Sequence, residues 1–309
     1  MRTTLGGMTL ALALGAGCNA LSGVGDFSYD RVATAAATPG ATSASTSSGG
    51  GAGGGQGGAG TAAGGGGAGG VGGAPQLGQA LSLDGRDDHV VLPNTDTLTA
   101  PAGSKGFSWE LWLWSTAVDA EKRTLFGAMD TEACEDIFLG FGTESTPSQE
   151  LAFKVDGKGK CPAVDDDPIR VGGLPAQTWI HVAAVADYAS GAVRLYVDGM
   201  LAASNGAFGG QPLGRSLFAN VGRFFDNGTS PLGSSRWYFA GRIDELRIYD
   251  RPLDDAEVTQ LYAGGAGTKE PAAGVVAGWH FDGDLVDYVG DLDGTAKNGA
   301  SFTEGKVPE

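Results

Sequence analysis

The chain has 309 residues, among them 55 glycines, 36 acids, 20 bases and three cysteines. All of its net charge of −16 falls on residues 84–309, because the first 83 residues carry only Arg2 and Arg31 against Asp26 and Asp30. An acidic body without a basic stripe argues against nucleic acid and anionic membrane as partners, and no apolar run reaches the roughly 18 residues of a spanning helix.

Arg2 precedes a short apolar stretch, Met8-Thr-Leu-Ala-Leu-Ala-Leu14, followed by small residues up to Cys18. This is the layout of a secretory signal. Leu14-Gly-Ala-Gly-Cys18 is similar to a bacterial lipobox, whose cysteine becomes diacylated, although leucine here lies four places before the cysteine instead of three. Residues 1–18 are accordingly assigned to a signal peptide with Cys18 as the lipidation site. Ordinary cleavage nearby is the alternative. Asn19 follows the cysteine in place of aspartate, which implies an exported lipoprotein of the outer membrane or cell surface. Any membrane association would then run through the lipid anchor alone.

Residues 19–76 form a low-complexity linker. Seventeen of the 55 glycines fall in 49–73, and no charged side chain occurs from 32 to 83. Such a segment has nothing to bury against its conformational entropy, which predicts a disordered Gly-rich tether. Its 40 or so Ala-, Ser-, Thr- and Gly-rich residues would span about 30–40 Å on average.

Residues 77–309 are long enough for one large all-β domain. In Phe107-Ser-Trp-Glu-Leu-Trp-Leu-Trp114 the side chains alternate, with Phe107, Trp109, Leu111 and Leu113 on one face and tryptophans on both. Two more strands, 138–141 and 151–155, are predicted as an antiparallel pair. Strands at 179–186 and 192–197 follow, and Asp198-Gly199 is a two-residue type I′ hairpin signal with 200–203 as the return strand. Residues 242–249 make a further strand. One helix is predicted: Asp254 caps it, Glu257 completes a capping box, Leu253 and Val258 form the hydrophobic staple, and Gly264 suits the stop. Many short strands with turns between them predict an all-β, two-sheet antiparallel sandwich with one short helix.

Read in order, several of these segments resemble the laminin-G-like jelly roll of the concanavalin A-like lectin/glucanase superfamily. They are Ala80-Leu-Ser-Leu-Asp-Gly85 with Asp88-His-Val-Val-Leu-Pro93, then 107–114, Trp179-Ile-His-Val-Ala183 and Leu195-Tyr-Val-Asp-Gly199. Phe239-Ala-Gly-Arg-Ile-Asp-Glu-Leu-Arg-Ile-Tyr249 closes the series, followed by Arg251-Pro-Leu253 and the helix. The family's usual opening, Trp-x-Phe-Asp with an Asp-rich turn and a Gly-Lys segment, does not precede Leu77. It stands instead at the C-terminus, in Gly278-Trp-His-Phe-Asp-Gly-Asp-Leu285 and Gly299-Ala-Ser-Phe-Thr-Glu-Gly-Lys306. The resemblance therefore implies a circularly permuted domain in which 275–309 supply the opening strands. A truncated second repeat is the alternative, and would leave Trp279 and Phe281 exposed.

Chemistry is sparsely signalled. The family's hydrolases place two carboxylates on one strand as Glu-x-Asp-x-x-Glu, and the nearest strand here, Ile243-Asp-Glu-Leu-Arg-Ile248, lacks them at that spacing. There is no nucleophile elbow and no zinc spacing, and His89, His181 and His280 are expected to be structural. No catalytic residue is assigned, and no organic cofactor. Calcium is a candidate structural ion, because hard cations prefer loops rich in carboxylates. Three acidic groups qualify: Asp244 with Asp282, whose strands the resemblance makes neighbours; Asp84 with Asp87 and Asp88; and Asp165, Asp166 and Asp167 with Glu132, Glu135 and Asp136. Plain solvated surface acids are the alternative in each case. Export would permit Cys134 and Cys161 to pair as a disulfide. Phe225, Asp226, Asn227, Trp237 and Tyr238 mix aromatic and polar groups as sugar recognition requires, although Phe224, Phe225 and Trp237 also suit a core or sheet edge. The expectation is a noncatalytic, tethered surface module that binds a glycan; a protein-adhesion or structural role, and then a degenerate glycoside hydrolase, are the alternatives.

Overall fold

The computed structural model describes residues 78–95, 97–99, 104–116, 123–129, 136–142, 149–155, 168–206, 217–224, 237–265 and 273–306. Cys18, the 19–76 linker, Cys134, Cys161, Asp165, Asp166, Asp167, Phe225, Asp226 and Asn227 lie outside the described residues.

The strands run in chain order as β1 (Gln79–Asp84), β2 (His89–Thr95), β3 (Gly106–Ser115), β4 (Arg123–Met129) and β5 (Asp136–Phe141). Next come β6 (Leu151–Val155), β7 (Ile169–Val171), β8 (Trp179–Asp187), β9 (Ala192–Val197) and β10 (Met200–Asn205). After β11 (Leu217–Val221) and β12 (Ala240–Tyr249) stands the helix α1 (Asp255–Gly264), then β13 (Val275–Trp279), β14 (Thr295–Lys297) and β15 (Ser301–Glu304). They form two antiparallel sheets. One is 8-stranded, in the order β10-β9-β8-β3-β12-β1-β15 with β13 also on β12; the other is 7-stranded, β14-β2-β11-β4-β5-β6-β7. This is the two-sheet jelly-roll sandwich with one helix that the sequence predicts.

The alternation in β3 does what its pattern requires. Phe107, Trp109, Leu111 and Leu113 enter the core between the sheets, where the Trp109 ring meets Phe126 edge-on at 4.3 Å. The Trp109 indole N–H is satisfied by the Leu98 carbonyl at 3.0 Å. Ser108, Glu110 and Trp112 therefore face outward, yet all three are buried. That outer face is covered in part by α1 and the residues leading into it, which pack Val258 and Leu253 on Ala183, Val185, Tyr196 and Tyr249. The predicted capping box is present: the Glu257 amide donates to Asp254 and the Asp254 amide to Glu257. The stop lies one residue beyond expectation. Gly264 is still helical, and Gly265 takes the left-handed φ of 65° that ends the helix. Asp198 and Gly199 also both have positive φ, 47° and 76°, as a type I′ turn demands.

A bulge in β12 sets the phase of the molecule's centre. Asp244 pairs with Trp112 and Arg247 with Glu110, so β12 spends one residue more than β3 between those points. The extra residue, Glu245, sits at φ 50°, a conformation that usually calls for glycine. Without it, strict alternation from Ile243 would turn Glu245 and Arg247 into the core. With it, Ile243, Leu246 and Ile248 face the core while Asp244 and Arg247 stay on the outer face. The bulge also divides β12 between two neighbours, β1 along its first half and β13 along its second.

The C-terminal segment enters both sheets. β13 pairs with β12, β15 with β1, and β14 with β2. Trp279 and Phe281 are fully buried in the central core, and the Trp279 indole donates to the Leu292 carbonyl at 3.2 Å. The loop between them and β14 is organised by buried Asp287, which accepts from the amides of Gly278, Val289 and Leu292. Replacing Trp279 by alanine should cost about 3–5 kcal/mol of unfolding free energy. Urea denaturation measures it, and an unchanged midpoint would contradict the burial described.

Candidate functional site

The β1–β2 turn gathers three carboxylates by its own backbone bonding. Asp84 accepts from the amides of Arg86 at 2.8 Å and Asp87 at 3.4 Å, and Asp88 accepts from the Asp84 amide at 3.1 Å. The side chains of Asp84, Asp87 and Asp88 each offer an oxygen within 4.8 Å of the others, the one such group of three among the described residues. The turn's amides hold the Asp84 carboxyl below its ordinary range. Burial, reinforced by the charges of Asp84 and Asp87, pushes Asp88 above it. One carboxylate is thus favoured as an anion and another resists a third negative charge, an arrangement that a hard oxygen-seeking cation would satisfy.

Beside this turn lies a cationic and aromatic group. His89 Nδ1 donates to the Asp87 carbonyl at 2.8 Å, which leaves Nε2 to accept from the Arg223 guanidinium at 3.2 Å. Arg223 lies 5.9 Å over the Tyr238 ring, and the His89 and Tyr238 rings are 5.8 Å apart. Arg123 ties the two parts together by donating to the carbonyls of Gly85 and Tyr238. Next to Tyr238, Trp237 stacks on Phe224 at 4.9 Å and meets Phe138 edge-on at 6.0 Å. Trp237 adopts φ 37°, a strained choice for a bulky side chain. The acids Asp84, Asp87 and Asp88 and the aromatics Trp237 and Tyr238 are far apart in the chain, and the fold brings them to one rim. His89 and Arg223 join them there. His89 lies in the Asp88–Pro93 segment that carries the resemblance and is expected from sequence to be structural, and Arg223 is assigned no role there.

Asp244 and Asp282 lie elsewhere, where the two ends of the domain meet. Asp282 accepts from the amides of Gly78 and Gln79 at 2.8 and 2.9 Å, and Asp244 from the Lys306 amide at 2.9 Å. The Gly305 amide in turn donates to Gly78. Burial pushes the Asp244 carboxyl up to about 8, with Glu245 and Asp282 adding to the rise and the Lys306 amide opposing it. Backbone amides already serve both acids. Among the described residues, no third acid, histidine or cysteine completes a ligand group with them.

The bulge feeds a buried polar network on the outer face of the 8-stranded sheet. Glu110 accepts from His181 Nε2 at 3.0 Å, Arg247 at 3.3 Å and the Tyr249 hydroxyl at 2.7 Å. Arg247 also donates to Glu245 at 2.6 Å and to the Tyr288 hydroxyl at 3.0 Å. His280 reaches the same Glu245 carboxylate at 3.0 Å and stacks on Tyr288 at 4.1 Å. Burial alone would raise Glu110, but Arg247, His181 and Tyr249 together hold it below its ordinary value. Two of the three histidines thus serve structure in this network, as expected of them. With both oxygens of Glu110 and of Glu245 hydrogen-bonded to neighbours, these carboxylates are positioned to stabilise the fold.

The family model of the concanavalin A-like lectin/glucanases superfamily, of laminin-G type, matches residues 84–259. A candidate carbohydrate-binding protein from Bacteroides ovatus ATCC 8483 superposes with a TM-score of 0.51 at 17% identity, over 75% of this chain and 61% of its own. A heptameric SAP-like pentraxin from Limulus polyphemus superposes with a TM-score of 0.53 at 13% identity, over 75% of this chain and 98% of its own. At such identities the likeness is one of fold. No curated protein sequence matches the chain.

Asp244 gives a pH signature of defined sign. Its folded value of about 8 stands above the ordinary 3.8, so the folded state retains a proton that the unfolded chain releases. The stability this contributes is complete below the unfolded value, declines as pH rises and is gone above the folded one. The melting temperature should therefore fall between about pH 5 and pH 9 more steeply in the wild type than in Asp244→Asn. Parallel curves for the two proteins would exclude Asp244 as the source.

Proposed function

We propose, from the premise that the chain belongs to the concanavalin A-like lectin/glucanases superfamily, that it is a noncatalytic recognition module whose rim binds a glycan. The observation that carries this reading is the meeting of the Asp84–Asp87–Asp88 turn with Arg223, His89, Tyr238 and Trp237. A cation held by the three carboxylates would present open coordination positions to sugar hydroxyls. Tyr238 and the half-buried Trp237 offer ring faces to the sugar's C–H surface, and Arg223 offers donors. Calcium is the ion this oxygen set suits. The carboxylates of the central strands add nothing to catalysis in this reading, since Glu110 and Glu245 are consumed by Arg247 and its neighbours.

One observation favours protein adhesion as the second reading. Met200 and Leu201 are 62% and 49% exposed on β10, a terminal strand of the 8-stranded sheet. An apolar, uncharged strand at a sheet edge is a surface on which another chain can pair.

We further propose that the domain is circularly permuted and carried on a tether. Its support is the meeting of Gly78 with Gly305 and the antiparallel pairing of β1 with β15, which together resemble a hairpin opened at its turn. Export, the lipid on Cys18 and an outer-membrane or cell-surface location belong to the same proposal, as does a Cys134–Cys161 bridge.

A glycan array with and without calcium, run beside a glycanase screen, tests the main reading. Calcium-dependent array binding, weakened by Asp88→Asn and by Arg223→Ala and with no turnover, is the expected result. Silence in both assays favours adhesion, and turnover would overturn the noncatalytic reading. The anchor is checked by fractionation: Cys18→Ser should leave the membrane fraction, and unchanged membrane association would refute lipidation.

A further inference from the structure

We infer that Trp112, His181 and Tyr262 form a second ligand site, on the outer face of the 8-stranded sheet, for a neutral hydroxyl group of a sugar. It shares no residue with the rim. Trp112 on β3 and His181 on β8 are directly opposite one another, with ring centroids 5.2 Å apart. Trp112 is 4% exposed and His181 not at all, yet the indole Nε1 and the imidazole Nδ1 each lack a hydrogen-bond partner. Buried polar atoms are nearly always matched, so two adjacent unmatched ones point to a group that completes them.

The identities of the two atoms define that group. His181 Nε2 faces the Glu110 carboxylate at 3.0 Å, and that carboxyl is held in its ionised form. Nε2 therefore carries a hydrogen, and in the neutral imidazole Nδ1 presents a lone pair. The indole Nε1 can only donate. A hydroxyl, which donates once and accepts as well, answers both. An anion would meet the Nδ1 lone pair with Glu110 behind it, and a cation would meet the indole N–H with Lys306, whose Nζ lies 5.1 Å from the Trp112 ring. The strand is pinned here to the adjoining hairpin turn, because the His181 amide donates to the Asp198 carboxylate and the Asp198 amide to the His181 carbonyl.

The surroundings add the apolar half of sugar recognition. Tyr262, in the last turn of α1, stacks on Trp112 at 5.9 Å with planes 28° apart and lies 5.9 Å from His181. It is 36% exposed, so the roof of the site borders solvent. Aromatic surface beside a hydroxyl-matching donor and acceptor suits a pyranose, which has both a C–H face and a hydroxyl edge.

The test is titration of the full chain with methyl α-glucoside, methyl α-mannoside, methyl β-galactoside and N-acetylglucosamine, read by the Trp112 indole N–H resonance. That resonance is assigned by its loss in Trp112→Phe. At least one glycoside should shift it saturably, and exposed Tyr262→Ala should weaken that binding by about 2- to 10-fold. Arg223→Ala, which acts on the rim, should leave it unchanged. Failure of all four glycosides to move the resonance, with a long-lived water seen at the indole N–H instead, would make this a structural water site and overturn the inference. Binding lost in Arg223→Ala but kept in Tyr262→Ala would assign the sugar to the rim and overturn it equally.

Discussion

One guanidinium between two buried carboxylates governs the middle of this molecule. Arg247 stands 3.3 Å from Glu110 and 2.6 Å from Glu245, and all three side chains are almost wholly removed from water. Two carboxylates and one cation cannot be buried without further hydrogen-bond partners, and the fold supplies four: donors to the carboxylates from His181, Tyr249 and His280, and an acceptor for Arg247 from Tyr288. His181 comes from β8, Tyr249 from β12 itself, and Tyr288 and His280 from the C-terminal segment. Removing the arginine would leave uncompensated charge in the interior, a loss on the order of 3–5 kcal/mol. The bulge at Glu245 is a geometric condition of this network, because it keeps Arg247 on the outer face. The strained φ of Glu245 is the conformational cost of that placement.

The network explains why the C-terminal segment is part of the domain. Tyr288 and His280 cap the ion cluster from outside, while Trp279 and Phe281 fill the core on the other side of the same sheet. The segment is thus fastened by polar contacts on one face and apolar contacts on the other. Asp244 and Asp282 complete the attachment where the ends of the domain meet, Asp282 accepting from the amides of Gly78 and Gln79 and Asp244 from that of Lys306. The rim stands apart from this, on the β1–β2 turn and the segment around Tyr238. The acids gathered at the rim are not those that hold the segment in place.

Most of the architecture was legible because it rests on short-range rules. Alternation in β3, the Asp198-Gly199 turn and the Asp254–Glu257 capping box each require only neighbours in sequence, and each appears as expected. The helix stop moved by one residue because Gly264 and Gly265 both suit it, and the backbone turns left-handed at the second. The bulge was signalled by the spacing of Ile243, Leu246 and Ile248, three places and then two, but its consequence was not. Which acids become buried depends on partners distant in the chain, as Glu110 depends on Arg247, 137 positions later. His181 shows the same limit: nothing local reveals that Glu110 lies 71 positions earlier at hydrogen-bond distance. Of the site, the acids of the β1–β2 turn and the aromatics 237 and 238 were visible singly. Their meeting, and the parts of His89 and Arg223, depend on the sheet order.

Calorimetry of a chain ending at residue 274 tests most directly whether the buried network and the C-terminal segment form one cooperative unit. Without the segment, Arg247 loses Tyr288, Glu245 loses His280, and the core loses Trp279 and Phe281. A domain stable by about 5–15 kcal/mol should then show no cooperative melting transition. A transition as sharp and as high as that of the full chain would show that the segment is an appendage, and would contradict this account at its centre.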